Sequence, residues 1–204
     1  TSELLDRAKG VAASVVEDPI IAQLEADHFP FVLVGRHPQR RVSFVDVDNR
    51  LAAHQVVAHL LEHGYRTIAM ISGVPNMIAS IDRQVGYVDA LGDAGVPFAP
   101  DLVVHGEFTR RGGYRAMREL LARPGGAPRA VFVASDTMAS GALQALRDAG
   151  CRVPDDVAVF GFDGSERTTV SQPILSTVVQ QIAEMGGEAV RVLLDLVETP
   201  ERDP

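Results

Sequence analysis

Residues 129–164 have the sequence R-A-V-F-V-A-S-D-T-M-A-S-G-A-L-Q-A-L-R-D-A-G-C-R-V-P-D-D-V-A-V-F-G-F-D-G, and this stretch decides the fold. Its first apolar run, residues 130–134, is typical of a parallel strand that is covered on both faces. We expect Asp136 to cap a helix whose apolar side chains recur every three or four residues, and Gly150 to end it. The second apolar run ends at G-F-D-G. The stretch therefore predicts a strand, a helix and a second strand.

The same cycle of strand, loop, helix and glycine repeats along the chain at a spacing of roughly 30 residues, which is typical of right-handed crossover units. It predicts an α/β fold with parallel sheets flanked by helices. The predicted strands cover residues 31–34, 43–47, 67–71, 102–105, 130–134, 157–160 and 174–178. The predicted helices cover residues 19–26, 50–63, 81–94, 111–123, 136–149 and 182–197. A further strand is predicted over residues 10–16.

Composition excludes several classes of protein. Of 204 residues, 19 are Lys or Arg and 27 are Asp or Glu, so the net charge is −8. Such a surface repels nucleic acid, because nonspecific affinity comes from cations that neutralise phosphates. No apolar run approaches the ~20 residues of a membrane span. The polar start of the chain predicts no secretory leader. The single cysteine, Cys151, allows no internal disulfide and fits a reducing compartment, so we expect a cytoplasmic protein.

Polar side chains stand where the strands of the quoted stretch end. Ser135 and Asp136 follow the first strand, and Asp163 follows the second. Ligands of open parallel sheets lie beyond the carboxyl ends of the strands. These side chains therefore predict a binding site at that edge, although Asp136 is better explained as a helix cap than as a ligand contact.

Two motifs suggest chemistry that the rest of the chain does not support. His59 and His63 fit the H-x-x-E-H pattern of inverted zinc peptidases, but Gly64 ends the helix and no third ligand stands nearby, so we expect no metal site and no cofactor. The pair Arg110-Arg111 could bind phosphate at a helix start, but a solvated turn explains it as well. A hydrolase is disfavoured, because the chain has no G-x-S-x-G motif.

Six motifs in order resemble the effector-binding core of the LacI/GalR family of bacterial transcriptional regulators. They extend over most of the chain with the spacing of that family. They are V-D-V-D-N (45–49), H-L-L-E-H-G-Y-R-T-I-A-M-I-S-G (59–73), R-Q-V-G-Y-V-D-A-L (83–91), G-E-F-T-R-R-G-G-Y-R-A-M (106–117), S-D-T-M-A-S-G-A-L (135–143) and V-P-D-D-V-A-V-F-G-F-D-G (153–164).

The resemblance implies a periplasmic-binding-protein-like fold of type I with two subdomains. The N-terminal subdomain would be partial, formed by residues 1–47 and 182–204, and residues 48–181 would form the C-terminal one. A small effector, often a sugar or a purine, would bind between them without catalysis. The resemblance also implies a homodimer, and DNA binding through a helix-turn-helix that lies outside this chain. A periplasmic sugar-binding protein of a transport system shares the architecture and is the alternative.

The resemblance also assigns ligand contacts by motif. Arg83 of R-x-x-G-Y would fork onto ligand hydroxyls or ring atoms, Asp163 of G-F-D-G would accept from ligand hydroxyls or amines, and Phe108 would stack on the face of a sugar or a base. Ser135 and Gln180 would add polar contacts. Each has a structural alternative: Arg83 could form a surface ion pair with Asp82 or Asp136, Asp163 could cap its turn, and Phe108 could be plain core.

Two departures from the family pattern make the predicted pocket less polar. Gly35 stands where the family often has Asp. Met77 and Ala79 stand where polar ligand contacts are common, and we include Met77 among the predicted contacts. The effector is expected to be a carbohydrate or a related metabolite.

Overall fold

The computed structural model describes residues 9–11 (backbone only), 18–124, 126–165 and 174–199. The predicted strand over residues 10–16 lies outside these residues except for its start. Within the described part, the chain folds as two compact units. The first comprises the described residues within the ranges 1–47, 76–78 and 181–204, and the second comprises the described residues within 48–75 and 79–180.

The first unit contains a parallel sheet of order β1-β2-β3 in its described part. Its elements are β1 (Lys9–Val11), α1 (Pro19–Ala26), β2 (Phe31–Val34), β3 (Phe44–Val45) and α6 (Ile182–Glu198). Asp18 caps α1 by accepting from the Ile20 N–H at 3.1 Å, and Pro19 begins the helix. The apolar core of this unit consists of Ile21, Leu24, Phe31, Leu33 and Val42.

The second unit contains a parallel sheet of order β5-β4-β6-β7-β8 among the described residues. Its strands are β4 (Ile68–Ser72), β5 (Val103–His105), β6 (Ala130–Val133), β7 (Ala158–Asp163) and β8 (Ser176–Val179). Its helices are α2 (Asn49–Glu62), α3 (Ile78–Asp93, whose first residue belongs to the first unit), α4 (Arg110–Leu121) and α5 (Asp136–Asp148). The α/β class with parallel sheets flanked by helices is thus confirmed.

The central strands β4 and β6 are buried along their whole length, as expected for strands covered by helices on both faces. Helices α4 and α5 pack closely because Gly113 of α4 lies directly against the backbone of α5. A Cβ added at Gly113 would lie only 2.1 Å from the Met138 carbonyl oxygen. Glycines with positive φ follow several helices, such as Gly64 after α2 and Gly150 after α5. No helix in the described ranges is long and apolar enough to span a membrane.

Candidate ligand-binding site

The carboxyl edge of the five-stranded sheet collects the polar side chains of the candidate site. Asp163 is the last residue of β7, and Gln180 directly follows β8, whose Val179 pairs with Asp163 in the parallel register. Ser135 lies two residues beyond the end of β6. Arg83 reaches this edge from α3, where it is only 4% exposed. Strands that are far apart in sequence thus bring these groups to one edge.

Arg83 is held by groups from several different elements. Its Nε donates to Asn49 Oδ1 at 2.9 Å, and its Nη1 donates to the Ala134 carbonyl oxygen at 2.5 Å. Its Cζ lies 3.7 Å from the centroid of the Phe162 ring, a cation–π contact. The alternative that Arg83 forms a surface ion pair is wrong, because the residue is buried. The guanidinium is therefore fixed in place before any ligand arrives.

Asp163 supplies an acceptor beside this donor. Its Oδ1 accepts from Gln180 Nε2 at 2.6 Å. The same oxygen lies 3.6 Å from Arg83 Nη1, so the two groups form an ion pair, but this distance is too long for a hydrogen bond. Burial raises the pKa of Asp163, while the Arg83 charge and the Gln180 hydrogen bond act in the opposite direction. The backbone φ of Asp163 is 121°, an unusual value for a residue other than glycine. The side chain is thus held in place by both backbone and neighbours.

Ser135 and Asp136 both form hydrogen bonds at the start of α5. Ser135 caps α5, since its Oγ accepts from the Met138 N–H at 3.2 Å, so the prediction that Asp136 is the cap is wrong. Asp136 accepts instead from Thr177 Oγ1 and from the Ser165 N–H, both at 2.7 Å. Either side chain can cap a helix, and the hydrogen bond to Thr177 from β8 decides between them. Asp136 therefore connects the start of α5 to strand β8 and to Ser165.

The two remaining predicted contacts are Phe108 and Met77. Phe108 is in the loop between β5 and α4, half-buried against the core, with its ring over Gly73. Met77 belongs to the segment 76–78 of the first unit. A surface cleft of about 410 Å³ runs along α3, and none of the six predicted contacts lines it. The cleft is lined by Pro75, Ser80, Ile81, Gln84, Val85, Val88, Asp89 and His105.

The histidines of the H-x-x-E-H motif are engaged with each other near the end of α2. The ring centroids of His59 and His63 are 4.2 Å apart, and His63 Nδ1 lies 2.8 Å from the His59 carbonyl oxygen. Among the described residues, no group of three or more His, Cys, Asp or Glu side chains could hold a metal ion.

Sequence reasoning missed Asn49 and Phe162 as neighbours of Arg83. Asn49 is the first residue of α2 and is 3% exposed, although Asn is a polar residue that usually lies at the surface. Its position after the capping Asp48 in V-D-V-D-N is the local signal, but only the packing of α2 against α3 identifies its partner. The sequence gives no sign of the contact between Phe162 and Arg83, because an aromatic residue in a buried strand normally indicates a core position.

Comparisons with known proteins agree with this architecture. The family model of the periplasmic binding protein-like domain matches residues 57–204. The regulator CelR of Thermobifida fusca is 40% identical over 191 residues, which is 92% of this chain and 56% of CelR. The repressor CytR of Escherichia coli K12 is 38% identical over 170 residues, which is 83% of this chain and 50% of CytR. The chain thus spans about half the length of the curated relatives it matches.

Solved structures give the same result. A LacI transcriptional regulator from Bacillus cereus subsp. cytotoxis is 32% identical with a TM-score of 0.93, and the match covers 99% of this chain and 73% of that one. A complex of the regulator CelR with cellobiose is 38% identical with a TM-score of 0.92, covering 97% of this chain and 61% of that one.

Proposed function

Because this chain belongs to the LacI/GalR family of transcriptional regulators, whose periplasmic-binding-protein-like domain it carries, we propose that it is the effector-sensing part of such a regulator. It binds a small molecule and catalyses no reaction. The relatives it matches are named as regulators and repressors, which supports this function over that of a transport protein.

The observation that carries the proposal is the fixed pair of Arg83 and Asp163. A donor and an acceptor that lie 3.6 Å apart without a hydrogen bond between them can be bridged by a group that accepts from one and donates to the other. A hydroxyl does both. An anionic ligand would face the carboxylates of Asp163 and Asp136, and a cationic one would face the Arg83 guanidinium. The pair therefore favours a neutral, hydroxyl-bearing ligand.

The ligand class that best fits this chemistry is a carbohydrate. The relative solved with cellobiose supports the same class and makes cellobiose the first compound to test. In this proposal Gln180 holds Asp163 in position at 2.6 Å, Phe108 stacks on the ligand, and Ser135 and Met77 complete the contacts.

The further features of the whole regulator are part of the proposal. Residues 1–47 with 182–204, and residues 48–181, act as the two subdomains. Two copies form a homodimer, and a helix-turn-helix elsewhere in the protein binds DNA in the cytoplasm. Ligand binding changes the population of two conformations and thereby changes DNA affinity. The acidic balance of this chain, a net charge of −8, is consistent with its leaving DNA contact to another segment.

A thermal-shift screen with titration calorimetry tests the proposal. The panel consists of cellobiose, glucose, a polyol and a nucleobase, each measured against the wild type, Arg83→Lys, Asp163→Asn and the control Arg118→Ala. Arg118 is a solvent-exposed arginine in the last turn of α4. We expect a carbohydrate to bind the wild type and the control equally, and to bind the two site variants at least about 10-fold more weakly, since hydrogen bonds to charged groups contribute ~1.5–3 kcal/mol.

Two results would contradict the proposal. If no panel member binds the wild type, the sensor function has no support. If a ligand binds all four proteins equally, its site does not include Arg83 and Asp163.

A further inference from the structure

Ser80 has a buried hydroxyl that nothing in the described structure satisfies. It lies in the first turn of α3, three residues before Arg83, and is 1% exposed. Its Oγ has no hydrogen-bond partner among the described residues. Buried hydroxyls are usually hydrogen-bonded, because leaving one unpaired destabilises the fold. An unpaired hydroxyl beside a proposed binding site therefore requires an explanation.

The ring of Phe108 lies beside this hydroxyl; residue 80 also lines the surface cleft along α3, but its Oγ is not exposed there. A Cβ added at Gly73 would lie 2.1 Å from Phe108 Cζ, 2.2 Å from Phe108 Cε2 and 2.6 Å from Ser80 Oγ. The tip of the ring and the hydroxyl are therefore neighbours over Gly73, which has no side chain to separate them. Any other residue at position 73 would displace the ring or the hydroxyl.

The loop that carries Phe108 is held in an unusual backbone conformation. Glu107 and Phe108 have φ angles of 57° and 54°, so two successive residues other than glycine occupy the left-handed region. Such residues are strained, and strain of this kind is found at sites that change conformation. Phe108 is only half-buried. Moving this ring away from Gly73 therefore costs less free energy than moving a fully buried aromatic ring in an unstrained loop.

We propose that Ser80 is a concealed ligand-binding residue of the sensor site, uncovered when Phe108 swings off Gly73 to stack on the ligand. The Ser80 hydroxyl then forms a hydrogen bond with a ligand hydroxyl. This assignment rests on the proposed sensor function. It also explains how the site gains polarity although Met77 and Ala79 are apolar.

A labelling experiment tests the concealment without any ligand. Ser80→Cys is prepared in a Cys151→Ser background, and the thiol is labelled with a water-soluble aromatic disulfide reagent. We expect slow labelling when Phe108 is present and labelling at least about 10-fold faster when Phe108→Ala is added, because labelling rates follow the population of the open form. Circular dichroism verifies that both proteins are folded. Equal labelling rates would show that Phe108 does not conceal residue 80 and would overturn the proposal.

A binding experiment tests the ligand contact with the same panel as above. Ser72→Ala is the matched control, because the Ser72 hydroxyl is equally buried and equally unpaired among the described residues. We expect Ser80→Ala to weaken binding about 10-fold and Ser72→Ala to leave it unchanged. Neither variant should lower the unliganded melting temperature, since each removes an unsatisfied hydroxyl.

The possible outcomes separate this inference from the sensor function. Binding to the wild type that Ser80→Ala does not weaken removes Ser80 from the site and leaves the sensor function standing. Equal weakening by both serine variants would point to a general packing effect and would also overturn the assignment. Absence of binding by the whole panel overturns the sensor function, and the assignment of Ser80 falls with it.

Discussion

A methyl group placed between α4 and α5 should strongly destabilise the second unit. A Cβ at Gly113 would lie 2.1 Å from the carbonyl oxygen and 2.7 Å from the Cα of Met138. On the facing helix, a Cβ at Gly141 would lie 2.0 Å from the Arg110 carbonyl oxygen. Because the opposing atoms are backbone atoms, no side chain can rotate away to make room. The helices must separate instead.

The magnitude follows from this geometry. Cβ atoms do not approach other heavy atoms within about 3 Å, so Gly113→Ala forces the helices apart by roughly 1 Å and opens gaps among the surrounding buried side chains. Overpacking of this kind costs ~1–3 kcal/mol, and rigid backbone neighbours place the change near the upper value. Gly92→Ala is the control, because nothing lies within 4 Å of its Cβ position on α3. Alanine there should stabilise the protein by about 0.5–1 kcal/mol through helix propensity.

Urea denaturation followed by far-ultraviolet circular dichroism measures both variants. With a slope of roughly 3 kcal/mol per molar urea, Gly113→Ala should lower the midpoint by about 1 M, and Gly92→Ala should raise it slightly. The sign difference between two identical substitutions is the decisive observation. A Gly113→Ala midpoint equal to or above that of the wild type would refute the close approach of α4 and α5.

Three further variants test individual groups. Tyr87→Phe should lower the free energy of unfolding, measured by urea denaturation, by about 1 kcal/mol, because the buried hydroxyl donates to the Ile68 carbonyl oxygen at 2.8 Å. Burial raises the pKa of Tyr87 to about 12, so the wild type should show a tyrosine absorbance step near pH 12. Thr177→Val should lower the free energy of unfolding by about 2 kcal/mol by the same method, because it removes the hydroxyl that donates to the buried Asp136 carboxylate at 2.7 Å. A change below about 0.5 kcal/mol would show that this hydrogen bond does not stabilise the fold. Burial raises the pKa of Asp163 above its ordinary value of 3.8, so the native state holds this proton more tightly than the unfolded chain. The free energy of unfolding should therefore fall as the pH rises through the window just above 3.8, relative to Asp163→Asn, and an opposite slope would refute the cause given for the shift.

Local patterns predicted much of the architecture because they report local physics. Apolar runs such as residues 130–134 indicated strands, and the recurrence of apolar residues every three or four positions indicated helices, so the order of elements follows from burial alone. The ends of two elements differ from the prediction: α3 begins at Ile78 instead of residue 81, and β7 extends to Asp163 instead of ending at residue 160. Hydrogen bonding at the ends of elements, which periodicity does not report, sets these limits.

The placement of Arg83 and Asp163 in one site came from motif resemblance to a family, and their contact was not contained in either motif. It depends on the strand order β5-β4-β6-β7-β8, in which β4 and β6 are neighbours although β5 and two helices separate them along the chain. Strand order of this kind results from how crossover helices pack over the whole sheet.

The amino-acid sequence by itself determined that this protein is an α/β domain with polar residues at the ends of its strands, because burial periodicity and turn residues are properties of short segments. Only the tertiary structure decided that Asn49, Ala134 and Phe162 hold Arg83, that Ser135 rather than Asp136 caps α5, and that the Phe108 ring lies beside the Ser80 hydroxyl, which no described residue pairs. Each of these pairings joins segments that are distant along the chain, or chooses between two equally good local partners. The free energy that selects them therefore comes from packing across the whole unit.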